Sequence, residues 1–311
     1  MTVSSRPWDV DRPLTLEAAR EVIASSFPGI DAGMLVHLGS GWEFDAFLTA
    51  DGWVFRFPRR AESAELFAPE QRVLELVARI LPGAVRVPVV EVVGDATPAF
   101  PYMFAGHRFI PGIAADEVDP ELLPTVAREI AAVLGAIHSI PEQAARAAGV
   151  LESVDDEEGG TEWFERGVEG ASALRGIDDT VDRSLSWVTE VPWPLPRFVG
   201  PLRFIHQDLC PEHLIVEPDT GRLTGILDWT DAILGDPARD FVFLVTWRGW
   251  GFAEHVLREY GRPLDEGFRE RLHFMARLLA VIWLGIAHEQ GSDLGEHIEG
   301  VRNAFSNASP W

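Results

Sequence analysis

The chain of 311 residues contains no lysine, so all 26 of its basic side chains are arginines. Set against 49 acidic residues, they leave a formal net charge of −23. A chain this acidic repels nucleic acid and anionic lipid and attracts cations. Only one cysteine is present, Cys210, which excludes an intrachain disulfide and a multi-cysteine zinc site. Its slot suits a small packing residue better than a nucleophile. No stretch approaches the roughly 18 uncharged apolar residues of a membrane span. The opening "MTVSSRPWDVDRPLTLEAAR" lacks a basic head followed by an apolar core. These absences lead us to expect a cytoplasmic protein that engages neither membrane nor nucleic acid. What is present, 47% hydrophobic and 24% charged residues, is an ordinary globular composition, long enough for one large or two medium domains.

The order of patterns gives the organisation. Residues 17 to 27 read as a helix. "LVHLGSGWEFDAFLTADGWVFRFPRR" then alternates apolar and polar positions around two turn signals, Gly39-Ser40-Gly41 and Asp51-Gly52, which predicts a β-hairpin series. A helix is expected over 63 to 81, then strands over 85 to 93 and 102 to 110. From 120 onward the pattern is helical: "LLPTVAREIAAVLGAIHSI", one or two helices in 161 to 190, then 252 to 261, 265 to 289 and 293 to 305. Strands first and helices after is an α+β pattern in two lobes, residues 1 to 107 and 108 to 311.

Two polar clusters stand out, "FIHQDLCPEHLIV" at 204 to 216 and "GILDWTDAILGDPARDF" from Gly225. Upstream lie Gly39-Ser40-Gly41 between strands, and Arg56 on a strand followed by Glu70 on the next helix. Each feature alone has an ordinary explanation as a hairpin turn, a strand-edge charge or a strand-end cap. Their order is what carries information. Phosphoryl transfer from a nucleoside triphosphate needs a glycine loop over the phosphates and a cation held by a carboxylate. It also needs a base at the acceptor hydroxyl and ligands for magnesium. The chain offers candidates for all four in the order that protein kinases use.

The sequence resembles the antibiotic phosphotransferase family, the aminoglycoside and macrolide kinases that share the protein-kinase-like fold. "HQDLCPEHLI" is similar to the family's His-x-Asp-x-x-x-x-Asn/His catalytic loop, and "GILDWTDAILGDPARDF" to its Ile-Asp-Trp/Phe block followed by Gly-Asp-Pro-x-x-Asp. The resemblance implies a bilobal α+β kinase with Mg2+ as cofactor and ATP or GTP as phosphate donor. It makes Asp208 the carboxylate that takes or orients the proton of the substrate hydroxyl, and His213 and Asp228 the magnesium ligands. Histidine is an unusual ligand for a hard ion. Ser40 and Gly41 would cover the phosphates. Arg56, held by Glu70, would contact them, and the backbone of His107 to Phe109 would meet the purine. His206 is expected to be structural, Asp236 and Asp240 to brace the loop, and Asp231 to face either the acceptor or solvent. The chain departs from the family at Arg56, where lysine is usual; a guanidinium keeps the charge but presents a planar fork.

The resemblance implies a small-molecule antibiotic as acceptor. A cationic aminoglycoside would suit carboxylates such as Asp155, Asp156, Glu157, Glu158, Glu162 and Glu289. A macrolide would want an aromatic groove, for which Trp163, Trp187, Trp193, Trp247, Trp250 and Trp283 are candidates; core packing is the ordinary fate of tryptophan. The expectation is an aminoglycoside kinase conferring resistance, with a macrolide or a hydroxylated metabolite as alternative acceptor. A non-catalytic nucleotide-binding pseudokinase is the other reading, and Arg56 is the only departure in its favour. A zinc hydrolase built on His206, Asp208, His213 and Asp228 has no use for the glycine loop. The basic run "RFPRR" at 56 to 60 has the composition of a weak phosphate or nucleic-acid patch.

Overall fold

Phe55 and Phe57 alternate with Arg56 along one strand, so the strand must bury two rings on one face and aim a guanidinium from the other. That alternation organises the first half of the chain. The computed structural model describes residues 9–152, 159–190 and 198–306, leaving aside the side chains of 159–164. The chain divides into two compact units: residues 1–79 with 86–111, and residues 80–85 with 112–311.

The first unit holds α1 (Leu16–Ser26), β1 (Leu35–Ser40), β2 (Phe44–Thr49), β3 (Trp53–Pro58), α2 (Ala61–Glu65), α3 (Phe67–Val77), β4 (Val92–Gly94) and β5 (Phe104–Arg108). Its five strands form an antiparallel sheet in the order β1-β2-β3-β5-β4. One face of the sheet carries Phe47, Phe55, Phe57 and Phe104, which pack with Ala19, Val22 and Ile23 of α1. The rings of Phe57 and Phe104 stack at 4.5 Å between centroids. Each ring, fully buried, contributes on the order of 2–3 kcal/mol. The opposite face gathers Phe44, Ala105 and Phe67 of α3. The hairpin connection falls at Gly41–Glu43, with Gly39 and Ser40 inside β1. The strand expected over 85 to 93 shrinks to β4. Pro88 has no N–H to give a ladder, and the Val90 N–H donates to the Gln71 side chain instead (3.0 Å).

The second unit contains β6 (Ile113–Ala114), α4 (Leu123–Ile137), α5 (Glu142–Ala147), α6 (Gly159–Ser172), α7 (Asp179–Glu190), β7 (Arg203–Ile205), β8 (Leu214–Val216), β9 (Leu223–Ile226), β10 (Ile233–Gly235), α8 (Val242–Glu259), α9 (Phe268–Gln290) and α10 (Gly295–Phe305). Two small sheets, β10-β7 and β6-β8-β9, bracket the polar clusters of the sequence. α8 begins ahead of the expected helix because the 3-10 turn Pro237–Phe241 leads straight into it, and it kinks at Gly249, where φ is 74°. Among the described helices α9 alone is long and apolar enough to cross a membrane by length and composition. It is a core helix here, with Leu272, Ala276, Val281, Leu284 and Ile286 buried.

α6 and α9 touch backbone to backbone. A Cβ built on Gly285 would lie 1.8 Å from the Gly167 carbonyl oxygen and 2.8 Å from the Ala171 nitrogen, contacts no side chain can make. Gly285→Ala is therefore expected to cost about 1–3 kcal/mol through forced helix separation. Gly251→Ala, whose Cβ meets nothing within 4 Å, should be neutral or stabilising by up to about 1 kcal/mol. Denaturant midpoints of the two variants check this, and equal midpoints would contradict the close approach.

Candidate active site

In the first unit the basic run of β3 is matched group by group with acid. Arg56 points from the sheet face opposite Phe55 and Phe57, straight at α3. Its Nη1 and Nη2 donate to the two Glu70 oxygens at 2.8 and 2.6 Å. Glu70 is 2% exposed, so its charge needs this bidentate partner. The Phe44 ring lies 4.3 Å from the guanidinium carbon and fixes its plane. Arg60 donates to Glu43 (2.7 Å) and Arg59 to Asp45 (3.3 Å). The Ser63 hydroxyl donates to the other Glu43 oxygen, and the Arg59 N–H to the Glu43 carbonyl. The run at 56 to 60 is thus ion-paired within its own unit, and it clamps the loop that follows Ser40 and Gly41. In that loop the Gly41 N–H donates to the Phe44 carbonyl (2.9 Å), while the exposed Ser40 hydroxyl lies 3.2 Å from His37 Nε2.

At the far end of β5, His107 is buried with Nδ1 3.0 Å from the Arg108 carbonyl. Burial pushes its pKa down to about 4, with Arg56 adding to the fall. The Phe109 N–H donates to the Gly52 carbonyl at 2.9 Å, so the expected purine contact at Phe109 cannot use that proton.

In the second unit β7 runs into His206-Gln207-Asp208. The carboxylate of Asp240, fully buried in the turn before α8, accepts the N–H groups of His206 (3.1 Å) and Gln207 (2.7 Å). These bonds hold Gln207 at φ 72°, a left-handed conformation costing a non-glycine residue about 1–2 kcal/mol. His206 Nε2 donates to the Leu227 carbonyl (3.0 Å), which ties the loop to the residue before Asp228. Burial lowers the His206 pKa, so the ring is neutral and structural. Among the described residues the donor atoms within 4.8 Å of one another are those of Asp208, Cys210 and His213, so the four-ligand zinc set that includes His206 is not assembled.

A short turn, Pro211–His213, brings His213 back beside Asp208. Its Nδ1 lies 2.9 Å from the Asp208 carbonyl oxygen and 3.5 Å from Oδ2, while Nε2 faces Asp228 Oδ2 at 3.9 Å. Asp228, also left-handed with φ 53°, is fixed by the Thr230 hydroxyl on Oδ1 (2.7 Å). Burial raises the Asp208 pKa against the opposing pull of His213 and His206. For His213, burial disfavours the charge, but Asp208 and Asp228 outweigh it and raise the pKa. Cys210 Sγ is 3.2 Å from His213 Nδ1, and the donor atoms of Asp208, Cys210 and His213 lie within 4.8 Å of one another. Burial drives the thiol pKa far upward, so the group stays protonated and is no nucleophile.

Around this core, Asp236 pairs with the buried Arg271, itself held by Asp265. Asp231 is exposed. Glu289, expected to face an acceptor, is engaged in a two-bond pair with Arg166. Trp250 is buried, and Trp187 packs between Phe274 and Phe305. Asp155, Asp156, Glu157, Glu158 and Trp193, and the side chains of Glu162 and Trp163, lie outside the described residues. A different acidic set does gather near the loop. Asp116, Glu212, Asp293 and Glu296, all exposed, come from three separate stretches of chain. Burial and then mutual repulsion centred on Glu212 raise the pKa values of Asp116 and Glu296, and Glu212 acts on Asp208 as well. Only Glu212, inside "DLCPEH", had a local signal in the sequence.

Residues 35–277 match the phosphotransferase enzyme family. A viomycin phosphotransferase of Streptomyces vinaceus is 25% identical over 307 residues, covering 92% of this chain and 99% of that protein. The GDP complex of an aminoglycoside 2'-phosphotransferase-IIIa superposes with a TM-score of 0.71 at 21% identity, over 94% of this chain and 98% of that one. A macrolide 2'-phosphotransferase type I gives 0.63 at 22% identity, over the same shares of the two chains. The solved structures establish the shared kinase-like fold.

Two measurements test the geometry. Arg56→Met strands a buried carboxylate and should cost about 3–5 kcal/mol, most of it recovered by adding Glu70→Leu; a double variant no more stable than the single would contradict the pairing. For His107, the unfolded chain binds a proton near the ordinary 6.5 while the folded chain resists until about 4. Its contribution is complete above pH 6.5 and is lost as pH falls through that window. His107→Gln should flatten the acid side of the denaturant midpoint against pH.

Proposed function

The chain belongs to the phosphotransferase enzyme family, and we propose that it transfers the γ-phosphate of ATP or GTP to a hydroxyl of a polycationic antibiotic of the aminoglycoside type, conferring resistance. The observation that carries the reading is the His213 ring set between the Asp208 and Asp228 carboxylates.

Asp208 accepts the hydrogen bond, and then the proton, of the acceptor hydroxyl. The hydroxyl oxygen bonds to the γ-phosphorus as the bond to the bridging oxygen breaks and the nucleoside diphosphate leaves. Such a loose transition state asks for alignment more than for a strong base. Alignment is what the Asp240 clamp behind Asp208 provides. His213 donates from Nδ1 to the Asp208 carbonyl, and its Nε2, once a cation displaces the proton, turns a lone pair to the same side as an Asp228 oxygen. This oxygen and nitrogen pair fits a divalent cation, and His213 and Asp228 would hold Mg2+. Bound there, Mg2+ would neutralise charge on the transferring phosphates. In the first unit Arg56, fixed by Glu70 and Phe44, supplies the phosphate-directed cation, with Ser40 and Gly41 in the loop beside it. A solved relative bound to GDP supports GTP as one donor.

The cationic acceptor is supported by Asp116, Glu212, Asp293 and Glu296, whose mutual repulsion a polycation would relieve. The similarity to a viomycin phosphotransferase also supports an antibiotic as acceptor. Against a macrolide stands the packing of two of the six candidate tryptophans, Trp187 and Trp250.

Nucleoside diphosphate release, measured with ATP and GTP against a panel of aminoglycosides and macrolides, tests the proposal. Release should be stimulated by a polycationic drug, and Asp208→Ala should abolish it while nucleotide binding persists. Asp116→Asn with Glu296→Gln should raise the KM of a polycation several-fold, about the effect of losing two surface charge contacts, and leave nucleotide KM unchanged. Stimulation by macrolides alone would overturn the acceptor class; an active Asp208→Ala enzyme would overturn the site.

A further inference from the structure

Behind the Asp208 loop runs a buried line of polar groups that the chemistry above does not use. Tyr260, just past the end of α8, places its hydroxyl 2.5 Å from His138 Nδ1. His138, just past the end of α4, is fully buried, and its Nε2 lies 2.9 Å from Asp240 Oδ2. Phe241 packs edge-on against both rings. A carboxylate can only accept, so Nε2 carries the proton and Nδ1 receives the Tyr260 hydroxyl. The line then continues through Asp240 to the amides of His206 and Gln207.

Each link constrains the next. Asp240 Oδ2 is shared between His138 Nε2 and the His206 amide, while Oδ1 serves the Gln207 amide alone. With Oδ2 pinned from the side, the carboxylate plane cannot rotate without breaking several bonds in a site that water does not reach. Gln207 is the left-handed residue immediately before Asp208, so slack in Asp240 passes directly to the direction of the Asp208 side chain. α4 and the end of α8 thereby act on the loop from more than 60 residues away on the amino-terminal side and about 50 on the other, a linkage made by the fold alone.

We propose that His138 and Tyr260 are positioning residues for phosphoryl transfer, holding the Asp240 carboxylate in a single orientation so that Gln207 stays left-handed and Asp208 stays aimed at the acceptor hydroxyl. The inference rests on the reading of Asp208 given above. A purely structural core histidine would lower stability but leave the turnover of folded enzyme unchanged.

Three variants of the full chain decide between these: His138→Leu, His138→Gln and Tyr260→Phe. For each, kcat, nucleotide KM, thermal midpoint and the hydrogen exchange of the Gln207 amide are measured. In His138→Leu, kcat should fall on the order of 10- to 100-fold, the effect of one lost hydrogen bond to a charged group, with nucleotide KM moving less than about 3-fold. The Gln207 amide should exchange faster in parallel. His138→Gln, whose amide reaches the place of Nε2, should recover most of the loss, and Tyr260→Phe should show the same pattern more weakly. Unchanged kcat and an equally protected Gln207 amide, with only a lower thermal midpoint, would overturn the proposal. If His138→Leu does not fold, Tyr260→Phe carries the decision. A wild-type protein without turnover, or a fully active Asp208→Ala, would sink the reading of Asp208 instead, and the exchange of Gln207 would still show whether His138 orders the loop.

Discussion

One buried carboxylate, Asp240, sets the geometry of the loop that carries Asp208. Burial alone would push its proton affinity up, yet hydrogen bonds from His138 and the Gln207 amide, with the nearby His206, reverse that and keep it ionised. An ion in such surroundings costs several kcal/mol of lost hydration. Charge-assisted bonds from backbone N–H groups return much of it, and they do so only if His206 and Gln207 turn their amides the same way. The left-handed Gln207 follows from that demand. So does the tight reversal that lets the His213 ring return to the Asp208 carbonyl. The strain sits beside Asp208 and is balanced by bonds made behind it.

The sequence was most legible where local pattern and local chemistry coincide. Alternation along "VFRFP" placed Arg56 on the face opposite two phenylalanines, and its pairing with Glu70 was implied by the family resemblance. The two polar clusters were visible as motifs because their residues are neighbours in the chain. Strand ends were less legible, as in 85 to 93, where a side-chain amide took a bond that a ladder would have used. Least legible was anything assembled from distant segments. The acids Asp155 to Glu158 are visible because they are consecutive, whereas Asp116, Glu212, Asp293 and Glu296 carry no shared local signal. His138 and Tyr260 carry no local signal for the same reason: one histidine at the end of an apolar helix looks like packing until its partners are known.

The absence of lysine acquires a structural meaning in the ion pairs. Arg56 with Glu70, Arg166 with Glu289, and Arg271 with Asp236 and Asp265 all use the two-pronged planar geometry of guanidinium. An ammonium could satisfy the charge in each, but not two parallel bonds with the ring stacking that Arg56 makes on Phe44. The fork spends donors on Glu70 in one plane, which fixes the directions in which any further anion can be met. A site built this way trades adaptability for a fixed bearing.

The acidic face around Glu212 has a kinetic side as well. A protein of net charge −23 draws a polycation inward and pushes a triphosphate away, so the two ligands of the proposed reaction would meet the same field with opposite sign. Counterions shorten the reach of that field to about 8–10 Å at physiological salt. Rising ionic strength would therefore slow the arrival of a polycation and ease that of a triphosphate. The order in which two such ligands are captured would then be set by the medium as much as by the fold.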